Sequence, residues 1–188
     1  MKASIAALTS IVALASAAPP GFPPRPWCDL SEDTAAALVD GFGSLLTTFT
    51  TDNANKFLHA SNFTDTSSSI NFLTGQPLDG ITFPNRDAFI AGQGAQPPIG
   101  FEVLGIDAVA CKAPGDGVVA FRWKATVGGN QTGGAKGINV LYVTKEGVLE
   151  GQGVEGWVIE SVFSEFNNAV WVQEFGGSCE VAAPPPAS

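Results

Sequence analysis

Basic side chains are scarce: 9 Lys and Arg stand against 18 Asp and Glu in 188 residues, giving a formal charge of −9 and a sequence pI near 4.4. With no surplus of cations to displace counterions, binding of nucleic acid through phosphate neutralisation is excluded. Histidine is scarcer still. His59 is the sole imidazole, and Cys28, Cys111 and Cys179 are the only cysteines, with no CxxC spacing among them. That set excludes a structural zinc site, and no metal is expected. It also leaves a Ser-His-acid triad with one possible base and no GxSxG turn to meet it. No P-loop and no HExxH motif is present. No cofactor is expected. Gly151-Gln152-Gly153-Val154-Glu155-Gly156 does match GxGxxG. It lies between two strand patterns, with no helix after it to offer an N-terminus to a pyrophosphate, and it carries an acid, so it is read as a turn.

Long apolar runs are also missing, apart from one at the start. Lys2 precedes a small and apolar stretch from Ala3 to Ala15, and Ala15-Ser16-Ala17 is a small-x-small site. The run is too short and too rich in Ala and Ser to span a bilayer, and it reads as a secretory signal over residues 1–17. No membrane span is expected. The chain is thus expected outside the cell, starting at Ala18 and one charge more acidic once Lys2 is removed. Pro19, Pro20, Pro23, Pro24 and Pro26 make residues 18–27 an extended linker. A Pro/Ala-rich tail, 179–188, closes the sequence, leaving 28–178 as one domain with 45% apolar residues in the whole chain to build its core.

Export gives three features a meaning. Asn62-Phe63-Thr64 and Asn130-Gln131-Thr132 are glycosylation sequons, the second within a Gly-flanked loop. Three cysteines allow one disulfide. Each pairing closes a long loop worth about 4 to 5 kcal/mol, so loop entropy does not choose among them. Cys28, just before the first helix, can tie the Pro-rich segment to the sheet, and Cys28 with Cys111 is the expected pair.

Helical and strand periodicities are segregated. Ser31 or Asp29 can cap a helix running to about Thr50, with Leu38, Phe42, Leu45 and Phe49 forming one apolar stripe. Shorter helices are expected over 52–59 and 85–92. From Phe101 the period becomes two. Val119, Phe121, Trp123, Ala125 and Val127 alternate with polar or small residues, and strands are also expected over 101–111, 138–143 and 157–166. Helices followed by long hairpin-linked strands predict an α+β fold with helices on one side of a curved antiparallel sheet.

Several of these segments together carry a family likeness. The capped first helix, Asn62-Phe63-Thr64-Asp65, the run Phe89-Ile90-Ala91-Gly92-Gln93-Gly94-Ala95-Gln96-Pro97-Pro98-Ile99, and the strand from Trp157 closing in Ser164-Glu165-Phe166-Asn167-Asn168-Ala169-Val170-Trp171 resemble the secreted nuclear transport factor 2-like proteins of filamentous fungi. The resemblance covers about 28–177. It implies a cystatin-like cone, in which a bent antiparallel sheet wraps a long helix and leaves a pocket at the wide end. Its members include isomerases, cyclase-like enzymes and pure binders, so fold alone assigns no activity. The expected function is to hold a small apolar or amphipathic molecule; an extracellular interaction module or homodimer through the outer sheet face is the alternative, and an isomerase- or cyclase-like enzyme the third. For the pocket, Glu165 shares alternation with Trp157, Ile159 and Phe163 and is expected to point inward with Phe163. Trp123 is a candidate wall. Asp65 is a candidate that competes with an Asx-turn role, and His59 reads as a surface or capping residue at a helix end.

Overall fold

A computed structural model describes residues 29–127 and 133–179. Residues 1–28 and 180–188, and with them the signal, the linker, Cys28 and most of the tail, lie outside the described residues, as does Asn130. The helices are α1 (Glu32–Thr47), α2 (Thr51–Phe57), α3 (Ser68–Thr74), α4 (Arg86–Gly94) and α5 (Asn168–Glu174); the strands are β1 (Thr64–Thr66), β2 (Gly100–Ala113), β3 (Asp116–Thr126), β4 (Ala135–Thr144) and β5 (Val158–Phe166). Each helix starts on a side chain that accepts from an early backbone N–H: Ser31, Thr50, Ser67, Asn85 and Asn167 in turn. The stripe on α1 ends earlier than expected. Thr50 caps α2, so the chain must leave the first helix before it, and Phe49 packs against the core from the connection.

The five strands lie in the order β1-β5-β4-β3-β2 in one open sheet. Four of them run as antiparallel neighbours. The expectation of a wholly antiparallel sheet needs correction, because β1 pairs with β5 in parallel, Asp65 opposite Val162. Bulges interrupt the β2–β3 ladder between Val103 and Gly105, between Ile106 and Ala108, and near Ala113. Each adds local twist and bends its strand. The core fills the space between them: Leu38, Phe42 and Leu45 of α1 and Phe89 of α4 join Phe121 and Trp123 of β3 and Leu141 of β4. Among the described residues, no helix is long and apolar enough to cross a membrane.

Candidate functional site: a carboxyl-floored apolar cavity

One irregularity decides which residues reach the interior. Tyr142 lies opposite Ser161 but Val143 lies opposite Ile159, so Glu160 is an extra residue in β5. A bulge of this kind reverses the alternation beyond it. Trp157 and Ile159 are buried before the bulge; after it Val162 and Ser164 are buried, whereas Phe163 is 47% exposed. Glu165 and Phe163 are therefore not pocket residues, contrary to the alternation read from Trp157. They sit on the outer face, where Phe163 meets Tyr142 edge-on at 5.7 Å between ring centroids.

Glu165 instead anchors a helix. Its carboxylate accepts from the backbone N–H groups of Ser68 and Ser69 at 2.8 and 3.0 Å and from the Ser69 hydroxyl at 2.5 Å. Partial burial pushes its pKa up, but these hydrogen bonds outweigh that and hold it below the usual carboxylate range. A depressed folded pKa stabilises the fold above the unfolded pKa and is lost as pH falls through the folded one. Glu165→Gln turns one acceptor into a donor facing N–H groups. Because the site is partly exposed, the expected cost is no more than about 1 kcal/mol at pH 7. In urea melts the difference between the two proteins should shrink as pH falls through the folded pKa of Glu165.

Behind α3 lies a cavity of about 330 Å³. Burial divides its lining into mouth and floor. Thr74, Gln76, Gln96, Pro97 and Phe175 are exposed at the mouth, and Asp65, Thr82, Asn139, Ser164 and Trp123 are buried at the floor. Phe42, Phe83, Phe89, Phe166 and Trp171 supply aromatic walls. The Trp123 ring is held in three ways. It lies between Phe101 and Phe166, at 5.4 and 5.8 Å between centroids; its Nε1–H donates to Asn139 Oδ1 at 2.7 Å; and Gly137 beside it leaves the room that a Cβ would take from the indole.

Asp65 is positioned by backbone. Its N–H donates to Phe83 O at 2.9 Å, and its carbonyl accepts from Thr82 and Phe83 at 2.9 and 3.0 Å. With Thr64 and Thr66 on the other face of β1, the Asp65 side chain faces the cavity side and is only 3% exposed. Its Oδ1 has no hydrogen-bond partner. Burial alone raises its pKa to about 7. Asp65 is the single titratable residue among those lining the cavity.

The structure thus brings Trp123 and Asp65 together and separates both from Glu165 and Phe163. Asn139 and Ser164 were missed from the sequence. Asn139 carried a signal, being a polar residue in phase with Leu141 and Val143, whereas Ser164 could be found only by knowing of the bulge. His59 is corrected too. It is 3% exposed, its Nδ1 accepting from Ser61 and Asn62 N–H at 3.1 Å each and its Nε2 facing Glu146 O at 2.9 Å, so it fastens a turn. Asn62 is exposed. Cys179 is free and exposed, whereas Cys111, half-buried on β2, is not free. No cluster of three or more potential metal ligands occurs among the described residues.

A bent sheet over a long capped helix, with a cavity beneath it, agrees with a family model for the NTF2-like domain that matches residues 28–178. The chain belongs to the NTF2-like family. Solved structures share the fold at low identity. A protein of unknown function with a cystatin-like fold from Nostoc punctiforme is 13% identical over 74% of this chain and 93% of its own, with a TM-score of 0.51. An NTF2-like protein of unknown function from Shewanella oneidensis is 14% identical over 71% and 97%, with a TM-score of 0.48. Nuclear transport factor 2 from Cryptosporidium parvum is 13% identical over 72% and 93%, with a TM-score of 0.46. No curated protein gave a match.

Proposed function

We propose that this NTF2-like domain binds a small, largely apolar molecule in its cavity. The observation that carries the reading is the combination of a preformed aromatic space of about 330 Å³ with one buried, unpartnered carboxyl oxygen at its floor. Sites of this kind take affinity from apolar contact and orientation from a few polar groups. Any proton-transfer chemistry would run through Asp65, since the lining holds no second acid or base to complete a relay. Binding is therefore placed ahead of catalysis.

N-phenyl-1-naphthylamine, an aryl amine uncharged at neutral pH, reports occupancy by its fluorescence. A saturable rise is expected with the wild type and its loss with Ser164→Phe, which fills the floor; cooperative melting of the variant confirms that it is folded. Equal fluorescence from both proteins would contradict binding in the cavity.

A second reading rests on the outer sheet face, where Ile138 is 56% and Phe163 47% exposed beside Tyr142. A homodimer through this face would cover them, and sedimentation velocity showing only monomer at high concentration would end that reading. Export from the cell, glycans on Asn62 and Asn130 and a Cys28–Cys111 bridge belong to the same proposal. They draw support from the apolar N-terminal stretch, from the exposure of Asn62 and from Cys179 being the free thiol.

A further inference from the structure

The cavity combines two features that together select a charge. Its lining carries seven aromatic side chains, whose ring faces attract cations, and includes no Lys, Arg or His. At the floor stands Asp65, whose Oδ1 meets no donor from the protein although the residue is 3% exposed. No neighbouring floor group supplies one, and neither Asn139 Nδ2 nor the Ser164 hydroxyl donates to it. Trp123 Nε1–H is committed to Asn139, and the Thr82 hydroxyl is engaged with Ser67 and Asn71. A buried acceptor left without a donor is costly, and a bound molecule that brings the donor removes that cost.

We infer that the occupant of the cavity is a cationic amine on an apolar frame, its ammonium group donating to Asp65 Oδ1 and its frame lying against the aromatic walls. This rests on the proposed binding function and narrows it to a ligand class. The negative charge of the whole chain acts in the same direction, raising the local concentration of cations. Burial also leaves the Asp65 carboxyl partly protonated near neutral pH, so an arriving cation that favours the carboxylate drives a proton off it. With Asp65 the single titratable group of the lining, a proton released on binding an already protonated amine is assigned to it.

Two probes of the same shape separate the possibilities: 2-(aminomethyl)naphthalene, protonated at neutral pH, and 2-naphthalenemethanol, which is neutral. Calorimetry at pH 7 should show the amine binding at least tenfold tighter than the alcohol. Titration in phosphate and in Tris, which differ in ionisation enthalpy, should show net proton release for the amine alone. In Asp65→Asn the tenfold preference and the release should both disappear. An amine no tighter than the alcohol, or one whose preference survives in Asp65→Asn, would overturn the inference while leaving the cavity as a site for apolar molecules. If neither probe bound, nor N-phenyl-1-naphthylamine, the binding function itself would fall and the inference with it.

Discussion

Asp65→Asn should make the protein more stable at pH 8 and leave it nearly unchanged at pH 4. The Asp65 pKa is raised from 3.8 to about 7 by burial. An acid with a raised folded pKa costs the fold nothing while it is protonated in both states. The cost grows as pH rises above the unfolded pKa and levels off beyond the folded one. A shift of this size corresponds to on the order of 4 kcal/mol at pH 8, and the amide, which stays neutral, recovers most of it. Urea melts should give a gain of about 3 kcal/mol at pH 8 and a difference within about 0.5 kcal/mol at pH 4, if the amide fits as the protonated acid does. A gain independent of pH would mean that the carboxyl is not desolvated. An asparagine variant less stable at pH 8 would mean that Oδ1 has a donor in solution.

The second large effect is expected from Phe89→Ala. Phe89 is 2% exposed and meets Phe63 and Phe83 edge-on at 5.5 and 5.4 Å between centroids. It belongs both to the core cluster and to the cavity lining. Truncating a buried phenylalanine costs about 3 to 5 kcal/mol, through lost transfer free energy and unfilled space. Here the new space opens into an existing cavity, and the phenyl of N-phenyl-1-naphthylamine can occupy it. The variant's midpoint in urea should therefore recover more on adding that probe than the wild type's. A loss below about 1 kcal/mol would show that α4 does not close the core as described.

What could be read in advance depended on the length of each periodic run. The alternation from Val119 to Val127 spans a strand free of internal breaks in its pairing with β4, and all five inward positions are buried. The α1 stripe was equally legible for Leu38, Phe42 and Leu45. The β5 alternation failed because one residue, Glu160, bulges and exchanges the two faces beyond it, which removed Glu165 and Phe163 from the pocket and put Ser164 there. Helix α3 was missed for another reason. It is seven residues long, too short to show a period, and its cap Ser67 is hidden in a run of three serines. Yet it walls the cavity through Ile70, Leu73 and Thr74. Asp65 could be weighed as a pocket residue from sequence, but its burial comes from pairing β1 with Val162 of β5 and with Phe83, contacts between distant segments. Helix α5 was missed as well, although Asn167 caps it; its buried Glu174 accepts from Val127 and Gly134 N–H at 3.2 and 3.3 Å, on either side of residues 128–132.

The central claim is that the apolar space beneath the sheet, and not the sheet's outer face, receives a small molecule. Intermolecular nuclear Overhauser effects between N-phenyl-1-naphthylamine and the assigned aromatic and methyl protons of the protein test it directly. Trp123 and Phe89 line the cavity, whereas Ile138 and Phe163 lie exposed on the outer face. The account predicts effects to the Trp123 and Phe89 ring protons and none to Ile138 or Phe163; effects confined to Ile138 and Phe163 would contradict it.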